Sequence, residues 1–336
     1  MPCMFCRSED NLTSEHVFPA FMGGELEVPD GSCSRCNGEF AIWEGEIKKE
    51  TALLLHLLQI ENRYGDVPRA KVDVKIRGIE LEGLSGLREP DGTINLQEKV
   101  QENVKSDGKK HREGFFVSEQ SAEKFIARAR TRGEKTTELP VPEEVVYDAT
   151  FRLTLRFCMS LEVRKVVAKI ALASIAYKYG VAYALSPQFD RLRQIRTAKS
   201  PIGLPLSIFC NKTFMTAQTR AAHQHSVICY LSAGLKKGWI IVTLFGGLTY
   251  AVEVTDNYEE NSSRQFSIFY DASKKEPFNP VLLANEMSLV RTALSKETVF
   301  ENREAIDAQW SPIIEAYCAD AGVTLERIFP DNVASS

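Results

Sequence analysis

Two Cys-x-x-Cys pairs, Cys3/Cys6 and Cys33/Cys36, fall within the first 36 of 336 residues. Paired thiols at this spacing sit on tight turns that aim four sulfurs at one ion, and four thiolates close the tetrahedral sphere of zinc. The flanking segment is poor in aliphatic runs, so it can bury only a small core and needs such a staple to fold. A disulfide framework is disfavoured, because MPCMFCRSED lacks the charged-then-apolar pattern of a secretory signal. A redox Cys-x-x-Cys would need a βαβ context that the text does not offer. The other four cysteines, Cys158, Cys210, Cys229 and Cys318, stand singly in stretches such as LSIFC and SVICYL. They read as buried thiols behaving as small hydrophobes.

The rest of the chain holds enough apolar residues, 44% of the whole, to build a sizeable core. At about 150 residues per domain its length suggests about two domains. The net charge of -4 excludes a globally basic nucleic-acid coat protein and leaves room for a local basic patch. No run of about 18 apolar residues is present, so no membrane span and a cytoplasmic setting are expected.

From Asn37 the text turns helical, with Phe40, Trp43, Ile47, Leu53, Leu54, Leu57 and Leu58 at three- and four-residue steps, ending near Tyr64-Gly65. Residues 71–82 alternate as a strand, 88–112 are turn-like and charged, 114–118 form a short strand, and 122–132 form a short helix. Residues 133–144 read as a linker, with a boundary near 142, and 145–157 as extended. Ser160 caps a helix carrying Val163, Val166, Val167, Ile170, Ala171 and Ile175, closed by Gly180. A shorter helix follows Pro187. Residues 205–211, 225–232, 239–245, 248–255 and 265–270 read as strands, with GLKKG and FGG linking three of them into a meander. Residues 280–296 and 302–321 read as helices. The expected class is α+β: a small metal-stapled head over 1–65, a hairpin and short-helix region over 66–142, and a larger mixed body with an antiparallel sheet over 143–336.

A closed four-cysteine zinc has no open position and does no hydrolysis, so chemistry must come from what it frames. Between the pairs lies SEHVFPAFMGG, with Glu15-His16, and directly after Cys36 comes Asn37. The staple draws a carboxylate, an imidazole and an amide together. Oxygen ligands with open positions suit Mg²⁺ or Mn²⁺, and a neutral histidine beside such an ion can deprotonate water for attack on a phosphodiester.

The pattern C-x-x-C, L-T-x-E-H-V-x-P, G-G and C-x-x-C-N resembles the HNH endonuclease family, the ββα-metal nucleases. It is most similar to the zinc-bound bacterial variety, some of which are linked to phage defence. The resemblance covers residues 3–37, extending to Glu46; RKVVAKIALASIAYKYG is weakly similar to a helix in the bodies of such proteins. It implies a ββα head in which His16 is the general base, Glu15 holds the catalytic metal, and Asn37 is a second ligand. It implies DNA as substrate, with 5′-phosphate and 3′-hydroxyl products. Two departures stand out: Glu15 replaces the usual Asp, and LEVPDGSCSRC lacks the loop Asn that orients the base, leaving Asp30 as the candidate substitute.

These residues also have plainer readings. Asn37 is a good helix cap, Glu46 suits a solvated face, and His56 suits a core or boundary position. His223 and His225 have metal-like spacing without a third ligand. The clusters Lys109-Lys110-His111-Arg112, Arg128-Arg130-Arg132 and Arg191-Arg193-Arg196 suit phosphate contacts or solvated faces. Two rival functions remain: a zinc-stapled module that binds nucleic acid or protein without catalysis, and an RNA-directed nuclease. The body offers surfaces for substrate, a trigger or a second copy of the chain.

Overall fold

A computed structural model describes residues 1–76, 83–104, 110–137, 147–154, 160–200, 204, 206–208, 222–279, 315 and 324–328. In chain order the elements are β1 (Leu12–His16), β2 (Glu27–Cys33), α1 (Ser34–Leu57), β3 (Ala70–Ile76), β4 (Leu84–Arg88), β5 (Ile94–Leu96), β6 (Lys99–Val104), β7 (Lys110–Phe115), α2 (Glu119–Thr131) and β8 (Tyr147–Thr154). There follow α3 (Leu161–Tyr179), α4 (Val181–Ala184), α5 (Asp190–Thr197), β9 (Leu206–Ile208), β10 (Gln224–Ser232), β11 (Lys237–Leu244), β12 (Leu248–Thr255), β13 (Arg264–Asp271), β14 (Glu276–Phe278) and β15 (Thr324–Ile328). The class is α+β, with an N-terminal ββα head and an antiparallel sheet in the body. No helix among the described residues is long and apolar enough to cross a membrane.

The chain divides into two compact units. One comprises Met1–Pro68, Thr154–Tyr317 and Phe329–Ser336, so the head and most of the following body belong together. Its sheet runs in the order β14-β13-β10-β11-β12-β9, every pairing antiparallel, with the expected β10–β11–β12 meander at its centre. The other unit comprises Arg69–Leu153 and Cys318–Ile328. It holds a sheet ordered β15-β8-β3-β4-β5, the hairpin β6–β7, and α2. The charged text after Arg88 is thus strands and turns: Arg69 pairs with Glu89 just beyond the ends of β3 and β4, and Arg112 with Glu102 across the hairpin. The strand expected at 114–118 lies at Lys110–Phe115 instead.

The core of the first unit is organised by α3. Ser160 caps it, its Oγ accepting from the Val163 amide at 3.2 Å, and Gly180 closes it with φ +90°. Nearly every residue from Val163 to Ala176 is buried. A helix apolar on all sides is one enclosed on all sides, and α3 packs against α1, β1 and β2 of the head and against β11 and β12 of the body sheet.

Helix α1 starts earlier and stops earlier than its periodicity suggests. Cys33, extended at φ -93°, is its N-cap, so Asn37 lies inside the first turns and caps nothing. At the other end Gln59 takes φ +51°, its amide donates to the His56 carbonyl, and the Ile60 amide donates to Leu55. This left-handed close satisfies the terminal carbonyls and ends the helix although apolar residues continue past it. His56 is fully buried, its Nδ1 3.0 Å from the Pro68 carbonyl oxygen. The helices expected at 280–296 and 302–321, the boundary near 142, and Cys158, Cys210 and Cys318 lie outside the described residues.

Candidate active site

The four cysteines meet where the chain folds back three times. Cys3 and Cys6 occupy a tight turn in which the Arg7 amide donates to the Cys3 carbonyl at 2.8 Å and the Met4 amide to the Gly31 carbonyl at 3.0 Å. Cys33 ends β2, and Cys36 lies in the first turn of α1. Their sulfurs all lie within 4.8 Å of one another, with Cys6 and Cys33 3.5 Å apart. Tetrahedral zinc with Zn–S of about 2.3 Å requires sulfurs about 3.8 Å apart, so the donor set fits that ion. The helix N-terminus favours thiolate charge at Cys33 and Cys36, but without an ion burial raises the Cys33 thiol and the hydrogen bond with Cys3 raises that of Cys36. A hydrogen bond with Cys36 holds the Cys3 thiol down at about 4, against the effect of burial.

Strands β1 and β2 pair antiparallel, with Leu12 opposite Cys33 and His16 opposite Glu27. Between Thr13 and Glu15 the register shifts, because Pro29, Asp30 and Gly31 take up extra length in β2; Pro29 has no amide to donate and Asp30 sits at φ +52°. Asp30 is exposed on this bulge.

The structure places the expected chemical residues on this frame. Asn37 is exposed, and its Nδ2 donates to Thr13 Oγ1 at 3.3 Å, which leaves its amide oxygen for another partner. His16, at the end of β1, is partly buried; its Nε2 lies 3.4 Å from Glu27 Oε1, and its buried Nδ1 has no partner. Burial lowers the His16 pKa, opposed by Glu27, so the ring is neutral at pH 7.

Glu15 has company that its sequence neighbourhood does not announce. Its side chain is 2% exposed, and its Oε1 lies 2.6 Å from Lys169 Nζ of α3. The same ammonium, 3% exposed, lies 2.6 Å from Glu44 Oε1 of α1. Glu15 Oε2 is buried and makes no hydrogen bond of ordinary length, and the Ser32 hydroxyl nearby helps hold the carboxyl pKa down. Burial opposes the charge on Lys169, but two carboxylates outweigh it and hold its pKa above the ordinary lysine value. Burial raises the Glu15 carboxyl and Lys169 draws it back; with the ammonium in contact, the charged pair is the state the site keeps. Lys169 and Glu44 are the charged neighbours of Glu15 that sequence reasoning missed. The signal was a lysine inside the buried run VVAKIALASIA, where a charge persists only if something pairs with it.

The body also clamps the loop between the head's strands. Tyr270 Oη of β13 donates to the Gly23 carbonyl at 2.8 Å and accepts from the Glu25 amide at 3.1 Å. Gly24 is forced by crowding: a Cβ there would stand 2.1 Å from the Phe18 carbonyl oxygen. His223, unlike His225, precedes β10, and its Nε2 lies 3.4 Å from Asp271, so the two histidines share no metal site geometry. The Arg191-Arg193-Arg196 cluster is committed within the fold. Arg191 pairs with Glu253 and Asp256, Arg193 with Asp190 and the Met4 carbonyl, and Arg196 with Glu39. Glu46 faces solvent beside Lys49.

No curated protein and no solved structure matches the chain. Residues 3–44 match the HNH endonuclease family. That span contains the paired cysteines, the strand carrying Glu15 and His16, the bulged partner strand, and the start of the helix carrying Asn37 and Glu44. The head of this chain is an HNH endonuclease domain, built as a ββα unit around four clustered cysteines.

Proposed function

We propose that the chain is a metal-dependent endonuclease that hydrolyses DNA phosphodiester bonds, with zinc on Cys3, Cys6, Cys33 and Cys36 as its structural staple. The observation that carries this reading is the Asn37–Thr13 hydrogen bond, which lays Asn37 against the same strand that presents Glu15 and His16. His16 takes the proton from a water as its oxygen attacks phosphorus. The bond to the 3′ oxygen breaks, leaving a 5′-phosphate and a 3′-hydroxyl. Glu15 and the Asn37 amide oxygen, which HNH nucleases place on the catalytic ion, would supply hard-oxygen donors suited to Mg²⁺ or Mn²⁺. Such an ion supplies neutralisation of charge on the scissile phosphate and the leaving oxygen. A body much larger than a cutting head requires supports a regulated role, such as phage defence.

Supercoiled plasmid incubated with zinc-loaded protein and Mg²⁺ or Mn²⁺ tests the reading. Wild type should nick it, and His16→Ala should slow nicking about 10²-fold or more. Equal cleavage by both would remove His16 from the mechanism. Cleavage of a labelled RNA with the plasmid left intact would move the substrate from DNA to RNA.

One observation favours a second reading: Lys169 already neutralises Glu15. If the head only binds nucleic acid, plasmid stays intact under every metal, and salt-sensitive DNA binding survives His16→Ala.

A further inference from the structure

The four-cysteine cluster is braced from outside the head by one nearly buried arginine. Arg193, in α5 of the body, has a side chain only 9% exposed. Its Nε donates to the Met4 carbonyl oxygen at 2.9 Å, inside the Cys3–Cys6 turn. Its other nitrogens donate to the Ala184 and Ser186 carbonyls and to Asp190. Asp190 also accepts from Arg7, the residue after Cys6, at 2.8 Å. One guanidinium thus ties the end of α4 and the start of α5 to the turn that presents two of the four thiols.

The contact falls on one particular peptide. The Met4 carbonyl and the Phe5 amide are opposite edges of the same planar unit. With the Cys36 thiol, the Phe5 and Cys6 amides hydrogen-bond the Cys3 sulfur. Arg193 therefore donates to the oxygen of the peptide whose N–H serves Cys3, and a charged donor on one edge strengthens the bond made from the other. Charge acts in the same direction. Zn²⁺ on four thiolates carries two excess negative charges, and Cys3, Cys33 and Cys36 are buried, where such charge needs cations close by. Arg35 meets the cluster from the exposed side, at the Cys6 sulfur. Arg193 meets it from the buried side, where burial lowers its pKa against the pull of Asp190 and Cys3. Arg7 and Asp190 cancel one another, so Arg35 and Arg193 balance the zinc-loaded cluster.

We propose that Arg193 is a positioning residue of the zinc site: it fixes the Met4 peptide and matches thiolate charge, so that retention of zinc by the head depends on α5 of the body. This rests on the zinc reading of the four cysteines and not on cleavage. Plain docking of α5 on the head is a separate matter, since Arg196 of the same helix also reaches the head, through Glu39 of α1.

Zinc release from the full chain to a chromogenic chelator tests it. Arg193→Met should release zinc at least about tenfold faster than wild type. Arg196→Met, which cuts a tie between α5 and α1 but leaves the Met4 peptide alone, should release it at close to the wild-type rate. No acceleration in Arg193→Met, or equal acceleration in both variants, overturns the proposal. In Co²⁺-substituted protein, Arg193→Met should move the thiolate-to-metal charge-transfer band to lower energy, because a weaker Phe5 hydrogen bond leaves the Cys3 sulfur easier to oxidise. A simple loss of stability moves no band, so an unmoved band also overturns it. If Arg193→Met does not fold, Arg193→Lys should still release zinc faster than wild type, because one ammonium cannot reproduce the planar fork; a wild-type rate there overturns it. A chain that takes up neither zinc nor Co²⁺ overturns the staple and this proposal together. Faster release from Arg193→Met, with plasmid left uncut by wild type, upholds the proposal and defeats the nuclease reading.

Discussion

His225 of β10 donates from Nε2 to the Met22 carbonyl oxygen at 3.2 Å, joining the body sheet to the loop between the head's strands. Its Nδ1 accepts from the Phe245 amide at 3.1 Å, so the ring is held as the neutral Nε2–H tautomer. Phe18 and Phe245 pack on it, with ring centroids 5.5 and 5.1 Å away. Protonation would turn the acceptor nitrogen into a second donor facing an amide.

The unit should therefore lose stability in mild acid. Burial pushes the His225 pKa down to about 4 from an ordinary 6.5. A group whose folded pKa is depressed favours the unfolded state when protonated. Its contribution is complete above the unfolded pKa and is lost as pH falls through the folded one. Between pH 7.5 and pH 5 the loss should be about 2 kcal/mol. Urea unfolding of wild type and His225→Gln at both pH values checks it: the drop in midpoint should be clearly smaller in the variant.

Removal of the metal should unfold the head. With sulfurs already gathered within 4.8 Å, the purified chain should carry about one zinc, as a single four-thiolate site requires. Cys36→Ser should lose it, and a strong chelator should reduce the helical circular dichroism of wild type. Zinc content by atomic emission that is unchanged in Cys36→Ser would contradict this assignment.

Asn37 and His16 should separate kinetically. As a metal ligand, Asn37→Ala should raise the Mg²⁺ concentration needed for half-maximal nicking by about tenfold. As a base, His16→Ala should lower the rate at saturating Mg²⁺ without moving that midpoint. Metal titrations of plasmid nicking distinguish the two, and a pure rate effect in Asn37→Ala would reassign it to positioning.

The loop 18–25 should tolerate no added carbon at Gly24. A Cβ 2.1 Å from the Phe18 carbonyl oxygen must displace backbone, at a cost of roughly 1–3 kcal/mol. Thermal unfolding of Gly24→Ala should show a lowered midpoint. Gly38→Ala, inside α1 where an added Cβ meets nothing within 4 Å, should not lower the midpoint and should raise it slightly.

Much of this candidate site is legible from residue order alone. Thiol spacing announced the cluster, and Glu15-His16 and Asn37 stood at fixed offsets from it. Ser160 and Gly180 marked α3, because capping side chains act within a few residues of the helix they end. Helix α1 was misjudged at both ends for a related reason. Its start is decided by Cys33, committed to the cluster, and its stop by a left-handed Gln59, which no apolar periodicity reports.

Residue order sets the local chemistry: which thiols can share an ion, and which imidazole and amide flank them. How that chemistry is held depends on contacts far apart in the chain. Lys169 reaches Glu15 across 154 positions of chain, His225 reaches Met22 across 203, and Arg193 reaches Met4 across 189. Such pairings arise because a buried charge or polar group must find a partner within the packed interior. The identity of that partner depends on how α3 and the body sheet close over the head, and no local pattern encodes it.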